Sequence, residues 1–176
     1  MRIVAGKYRH RIIEMTGLTS TRETQDKVRQ AIYNMIGPYF DGGVCLDLFA
    51  GSGAMGIEAI SRGMDSLYLN DLNKDALMVC RKNCASLKLT NASFYNMDYI
   101  DYLKSVSVSY DLIILDPPYR MDNIEEILGL SYNRLKEGGL IVFEMAKESK
   151  YPLLFKELSL IKDKEYGIKR VVIYRR

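Results

Sequence analysis

Histidine and cysteine are scarce in this chain of 176 residues: His10 stands alone, and the thiols are Cys45, Cys80 and Cys84. One imidazole and three thiols do not make a usual four-ligand zinc site. Cys80 and Cys84, four positions apart, have the spacing of one helical face rather than that of a metal or redox pair. No metal is expected, and an odd number of thiols in a reducing compartment needs no disulfide. Long apolar runs are missing as well. No stretch approaches the roughly 20 residues needed to span a bilayer, and the opening Met1-Arg2-Ile3-Val4-Ala5-Gly6-Lys7 lacks the apolar centre of a secretory leader. The expected location is the cytoplasm, with no membrane contact. Internal repeats and low-complexity linkers are absent too, so the length points to a single domain, residues 1–176, with a full core.

What is present is a globular composition, 48% hydrophobic and 27% charged, with a net charge of only +3. The charge is unevenly placed. Residues 1–38 carry seven basic side chains (Arg2, Lys7, Arg9, Arg11, Arg22, Lys27, Arg29) against the acids Glu14, Glu23 and Asp26, which leaves the remainder slightly acidic. A basic arm on a near-neutral body suits a protein that meets a polyanion along one edge, and equally suits a solubilising surface.

Residues 2–13 alternate loosely between apolar and basic positions around Gly6, as a short hairpin or extended arm would. After a loop rich in Thr, Ser and Gly, Thr24 can cap a helix with Val28, Ala31, Ile32, Met35 and Ile36 on one face, Lys27 and Arg29 on the other, and Gly37-Pro38 as its stop. From Gly43 onward, within an expected cofactor-binding catalytic core of residues 39–176 that follows the basic arm and helix of residues 1–38, strand and helix patterns alternate, which argues for a parallel sheet covered on both faces. Strands are predicted near 44–48, 66–70, 92–96, 111–115 and 139–144, with helices near 54–62, 74–88, 99–105 and 123–135. A further helix is predicted near 149–157, and then an antiparallel hairpin turning at Gly167. An α/β sheet that closes with a hairpin departs from the ordinary dinucleotide fold and matches the seven-stranded, mostly parallel sheet of the class I S-adenosylmethionine-dependent methyltransferases, a Rossmann-like fold.

Chemistry concentrates at the carboxyl ends of the predicted strands, where open α/β sheets bind ligands. Leu46-Asp47-Leu48-Phe49-Ala50-Gly51-Ser52-Gly53 runs from the first strand into a glycine-rich turn, with Gly56 on the following helix. Such glycines suit a tight turn, close approach of backbone to a ligand, and tight helix–strand packing. The spacing also satisfies the dinucleotide fingerprint. Asp71 follows the second strand and can accept from both hydroxyls of a ribose, or serve a turn through Asp71-Leu72-Asn73. Asp98, before Tyr99, is placed to meet an adenine amine or to cap a helix. Candidate cofactor contacts are therefore Asp47, Phe49, Ala50, Gly51, Ser52, Gly53, Asp71, Leu72, Asp98 and Tyr99, with Asp47 near enough to meet the amino group of a bound methionine moiety.

Asp116-Pro117-Pro118-Tyr119 follows the apolar run Leu112 to Leu115. Two prolines hold the chain extended and leave the Pro117 carbonyl available to a cleft. An exocyclic base nitrogen is a poor nucleophile because its lone pair is delocalised into the ring. The Asp116 carboxylate and the Pro117 carbonyl, taking its two hydrogens, favour a pyramidal nitrogen facing an electrophilic methyl, and Tyr119 stacks on the base. A strand-ending turn explains one proline but not the acid, both prolines and the aromatic together. The implied donor is S-adenosylmethionine, and the target base must be unstacked to be reached.

In these blocks the chain resembles the bacterial small-subunit ribosomal RNA guanine-N2 methyltransferases of the RsmD type. The resemblance runs through Arg2-Ile3-Val4-Ala5-Gly6-Lys7-Tyr8, through Arg22-x-Thr24-x-x-x-Val28-Arg29-x-Ala31-Ile32-Tyr33-Asn34, the glycine loop, Asp71, Asn83 and Asp116-Pro117-Pro118-Tyr119. It implies methylation of a guanine N2 in 16S ribosomal RNA, within an assembled or partly assembled small subunit, by an enzyme expected to be a monomer. Catalysis falls to Asp116, Pro117, Pro118 and Tyr119, and RNA contact to Arg2, Lys7, Arg9, Arg11, Arg22, Thr24 and Arg29. One position departs from the pattern: Glu23 stands where the family has proline. An adenine-N6 methyltransferase is the alternative within the same chemistry. An NAD-dependent oxidoreductase shares the glycine loop but gives no reason for the Asp-Pro-Pro-Tyr run, and a noncatalytic RNA-binding module gives none for a cofactor pocket.

Overall fold

The computed structural model describes residues 1–17, 25–118, 121 and 123–176. Among them helices and strands alternate as the periodicity requires. The order is α1 (Asp26–Ile36), β1 (Val44–Asp47), α2 (Ala54–Ser61), β2 (Ser66–Asn70), α3 (Lys74–Ser86), β3 (Ala92–Tyr95), α4 (Tyr99–Ser105), β4 (Tyr110–Leu115), α5 (Ile124–Tyr132), β5 (Leu135–Ala146), β6 (Leu154–Phe155), β7 (Leu158–Tyr166) and β8 (Lys169–Arg175). They form one sheet in the order β3-β2-β1-β4-β5-β8-β7-β6. The first five of these are parallel neighbours, and β8 returns antiparallel between β5 and β7.

Side chains of a strand alternate between the two faces, so a strand covered on both sides is apolar throughout. On one face Cys45, Leu67, Leu69, Leu112, Ile114, Val142 and Ile173 pack with Ile57 and Ile60 of α2, Cys80 and Cys84 of α3, and Ile32 and Tyr33 of α1. On the other, Leu46, Ile113, Leu115, Ile141, Phe143 and Val172 pack with Tyr102 of α4 and Ile127 and Leu128 of α5. The three cysteines are buried and free. Desolvation holds the Cys45 thiol well above its ordinary pKa, and the hydrogen bond with Cys84, then burial, does the same for Cys80.

The first residues form the expected hairpin, bridged antiparallel at Arg2 and Ile12. It is fixed to the body by Glu58 of α2, whose carboxylate accepts from Val4 N and Ala5 N, each at 2.9 Å. Gly6 (φ +80) lies so close to α2 that a Cβ there would sit 1.7 Å from the Ser61 carbonyl oxygen.

The helix predicted near 149–157 does not form. Residues 149–153 are irregular and lead into β6, which pairs with β7 at Leu154 and Phe155 and adds a two-residue eighth strand to the seven expected. Pro152 offers no amide hydrogen and biases Tyr151 away from helix. Its carbonyl instead accepts from Tyr174 Oη at 2.7 Å, across the sheet edge. Thr24, expected to cap α1, lies outside the described residues. The helix begins after Gln25 with no side-chain cap and ends at Gly37 as expected.

Candidate active site

The carboxyl ends of β1, β2, β3 and β4 bring the predicted residues to one rim of the sheet. At β1, Asp47 is only 2% exposed, and its Oδ2 accepts from Gly56 N at 2.8 Å. This aspartate lies under the loop and ties the strand to the first turn of α2. The loop itself closes through Gly53 N to Ala50 O at 2.6 Å, with Ala50 N bonded to Asn70 O at 2.9 Å. Gly51 (φ 53) and Gly53 (φ 81) occupy left-handed conformations that L side chains adopt only at a cost. A Cβ on Gly53 would approach Cys80 Sγ to 2.6 Å, and one on Gly56 would meet Leu67 Cδ1 at 2.7 Å. Gly53 therefore lets the loop lie on α3, while Gly56 lets α2 lie on β2.

Asp71 is half-buried beside this loop. Its Oδ2 accepts from Gly51 N and its Oδ1 from Asn73 N, both at 2.8 Å. Leu72 next to it is 69% exposed, a large apolar side chain presented at the rim. Asp98 caps α4 through Ile100 N at 2.8 Å. The rings of Phe49 and Tyr99 meet at 5.7 Å between centroids and bridge the ends of β1 and β3. Burial, with Glu126 and Asp98 nearby, raises the Tyr99 phenol above its usual pKa, which keeps it a neutral donor. Ala50 and Ser52 are buried within the loop.

Asp116 and Pro117 follow β4 half-buried, Pro118 is exposed, and Tyr119 lies outside the described residues. A cleft here is lined by Asp116, Pro117, Met121, Phe143, Glu144 and Lys169. Lys169 Nζ lies 3.7 Å from Asp116 Oδ1 and also pairs with Glu144, which is 4% exposed. Neither Glu144 nor Lys169 is among the residues expected from the sequence. Their signals were an acid inside the apolar run Ile141 to Met145 and a lysine directly after the Gly167 turn.

Three asparagines also fix the rim, through contacts that no spacing in the sequence announces. Asn70 Nδ2 donates to Leu48 O and Met97 O, joining the ends of β1 and β3. Asn96 Nδ2 donates to the carbonyls of Asp71 and Leu72 and sets that turn. Asn83, named only through the resemblance, donates to Ser52 O and Glu14 O and accepts from Glu14 N. It joins the arm to the glycine loop.

The basic candidates divide. Arg2, Lys7, Arg9 and Arg11 are exposed on the hairpin. Arg2 pairs with Asp26 at 3.2 Å, and Arg11 donates to Ser86 O at 3.3 Å. Arg29, expected on the polar face of α1, is fully buried: it pairs with Glu58 at 3.2 Å and Asp26 at 3.0 Å. It is a structural cation rather than a surface contact, because a buried guanidinium needs charge partners and finds them in Glu58 and Asp26. Arg22 and Thr24, with Glu23, lie outside the described residues. No described helix is long and apolar enough to cross a membrane.

Residues 1–175 match the family described as "Conserved hypothetical protein 95". The chain is 39% identical to the "Putative rRNA methyltransferase YlbH" of Bacillus subtilis, over 100% of this chain and 99% of that one. It is 31% identical to the "Ribosomal RNA small subunit methyltransferase D" of Escherichia coli K12, over 100% of this chain and 90% of the other. Among solved structures, "Putative methyltransferase yhhF from Escherichia coli" superimposes with a TM-score of 0.88 at 30% identity, covering 100% of this chain and 97% of that one.

Proposed function

The chain belongs to the Conserved hypothetical protein 95 family, and from that premise we propose that it is a ribosomal RNA methyltransferase that uses S-adenosylmethionine to methylate the N2 amine of a guanine in 16S ribosomal RNA. Its fold is the class I, Rossmann-like methyltransferase fold, a parallel sheet closed by the β7–β8 hairpin.

The observation that carries the reading is the placement of Asp116 and Pro117 on a cleft wall at the end of β4, on the same sheet rim as Asp71 and Asp98. The rim fits the cofactor. Gly51 and Gly53 turn the backbone tightly, Asp71 suits the ribose hydroxyls, exposed Leu72 and the Phe49–Tyr99 pair suit the adenine, and Asp98 suits its amine. When bound, S-adenosylmethionine supplies a methyl group on a sulfonium leaving group. The chain does the rest by orientation and charge. The Asp116 carboxylate and the Pro117 carbonyl take the two amine hydrogens, Tyr119 stacks on the base, and Asp116 accepts the proton that the methylated amine sheds. Arg2, Lys7, Arg9 and Arg11 meet RNA phosphates. The substrate is 16S ribosomal RNA in an assembling small subunit, and the enzyme acts as a monomer in the cytoplasm.

The test is to incubate the purified chain with S-adenosylmethionine carrying a labelled methyl and with small subunits lacking this modification, then digest the RNA and identify the labelled nucleoside by mass spectrometry. N2-methylguanosine in 16S ribosomal RNA is expected. Label on adenine N6, or none on RNA, overturns the assignment.

A further inference from the structure

We propose that Lys169 is a positioning residue for methyl transfer: held between Asp116 and Glu144, its ammonium keeps the Asp116 carboxylate ionised and ready to accept the amine hydrogens. The inference rests on the amino methyltransferase reading above.

The sheet itself creates the need for this cation. Strands β4 and β5 are parallel and in register at Leu115 and Phe143, so Asp116, the first residue past β4, follows alongside Glu144, which is still within β5. Two carboxylates then line one cleft, with Glu144 only 4% exposed. Like charges that share a site repel, and a cation between them is what lets both stay charged. A protonated Asp116 would lose acceptor capacity toward an amine and could not take up its proton. Strand β8 supplies the remedy. It runs antiparallel to β5 with Lys169 opposite Ala146, which delivers one ammonium to that end of the sheet. The ammonium pairs with Glu144 and lies 3.7 Å from Asp116 Oδ1. Among the described residues, the charged groups facing Asp116 across the cleft are Glu144 from β5 and Lys169 from β8. Together the three carry one net negative charge, which offsets the positive charge that develops on the attacking nitrogen.

The experiment compares wild type, Lys169→Met, Lys169→Arg, Glu144→Gln and the double variant Glu144→Gln/Lys169→Met, all full-length. It measures methyl transfer to small subunits across pH and binding of S-adenosylhomocysteine. Lys169→Met should bind S-adenosylhomocysteine normally, lose about tenfold or more in kcat near neutrality, and move the acidic limb of its pH profile up by roughly one unit or more. Lys169→Arg should stay close to wild type. The double variant should recover activity relative to Lys169→Met, because only one carboxylate remains. Its acidic limb should still lie above that of Glu144→Gln, in which Lys169 continues to face Asp116. That second comparison stands even if Lys169→Met does not fold, since the double variant strands no buried charge. Coincident pH profiles for Glu144→Gln and the double variant, or a Lys169→Met enzyme with the wild-type profile, overturn the proposal. If wild type itself transfers no methyl group to RNA, the functional reading fails, whereas an active wild type with unmoved profiles defeats only the role of Lys169.

Discussion

Substituting Glu58 by glutamine is expected to detach the N-terminal hairpin. Each oxygen of this buried carboxylate serves two donors. Oε1 accepts from Ala5 N at 2.9 Å and Arg62 Nε at 2.8 Å, and Oε2 accepts from Val4 N at 2.9 Å and Arg29 Nε at 3.2 Å. An amide in its place turns one oxygen into a donor, so two of the four contacts become donor against donor. The Arg29 and Arg62 guanidiniums also stay buried with their common counter-charge gone. Breaking a buried ion pair from one side costs about 3–5 kcal/mol. At about 2–4 °C per kcal/mol for a domain of this size, the melting midpoint should fall by roughly 6–20 °C. Thermal unfolding by circular dichroism measures the fall, and hydrogen exchange at the Val4 and Ala5 amides reports whether the hairpin opens first. RNA affinity should drop while S-adenosylhomocysteine still binds. A midpoint within about 2 °C of wild type, with both amides still protected, would refute this account of how the arm is held.

Asp116→Ala should bind S-adenosylhomocysteine with near-normal affinity by calorimetry while kcat falls about 10²–10⁴-fold, the usual scale for a lost proton acceptor; near-normal turnover would remove Asp116 from the chemistry. Asp71→Ala should weaken S-adenosylhomocysteine binding by about tenfold or more, through lost charged hydrogen bonds and a loosened Gly51 amide, with little change in RNA affinity. Neutralising Arg9 and Arg11 together should lower the slope of log affinity for single-stranded RNA against log salt concentration by about 1.4, at roughly 0.7 for each phosphate contact. An unchanged slope would show that the hairpin does not touch the phosphates.

The parts legible in the sequence were those whose signal is local. The glycine loop, Asp71, Asp98 and the Asp-Pro-Pro run each stand directly after an apolar strand, and strand ends in a parallel sheet share one rim. What escaped depended on partners distant in the chain. On a helical wheel Lys27 and Arg29 flank the apolar stripe of α1 on opposite edges, and it is Glu58, far along the sequence, that draws Arg29, the one bordering Ile36, into the core. The stretch Tyr151-Pro152-Leu153-Leu154-Phe155 has the apolar content of a helix, and only the pairing of Leu154 and Phe155 with β7 makes its end a strand. Glu144 and Lys169 become neighbours through the antiparallel register of β5 and β8, and no spacing within either strand announces it.

The four strand-end aspartates show how one residue type acquires different work from its surroundings. Asp47 is covered, and an amide of α2 takes one of its oxygens, so it sets the shape of the loop from beneath. Asp71 and Asp98 are half-buried and each bonds a neighbouring backbone N–H, which orients the carboxylate along the rim and suits it to ligand hydroxyls and amines. Asp116 lies beside another carboxylate and a cation that pairs with both, which ties it, among the described residues, to a charged network. Ligand binding needs acceptors that stay fixed, and methyl transfer to an amine needs one that can take a proton. On the proposed function, burial and neighbours, rather than residue type, separate the aspartates that would hold the cofactor from the one that would react, and Asp116 is the position at which a change of charge should be felt in rate before affinity.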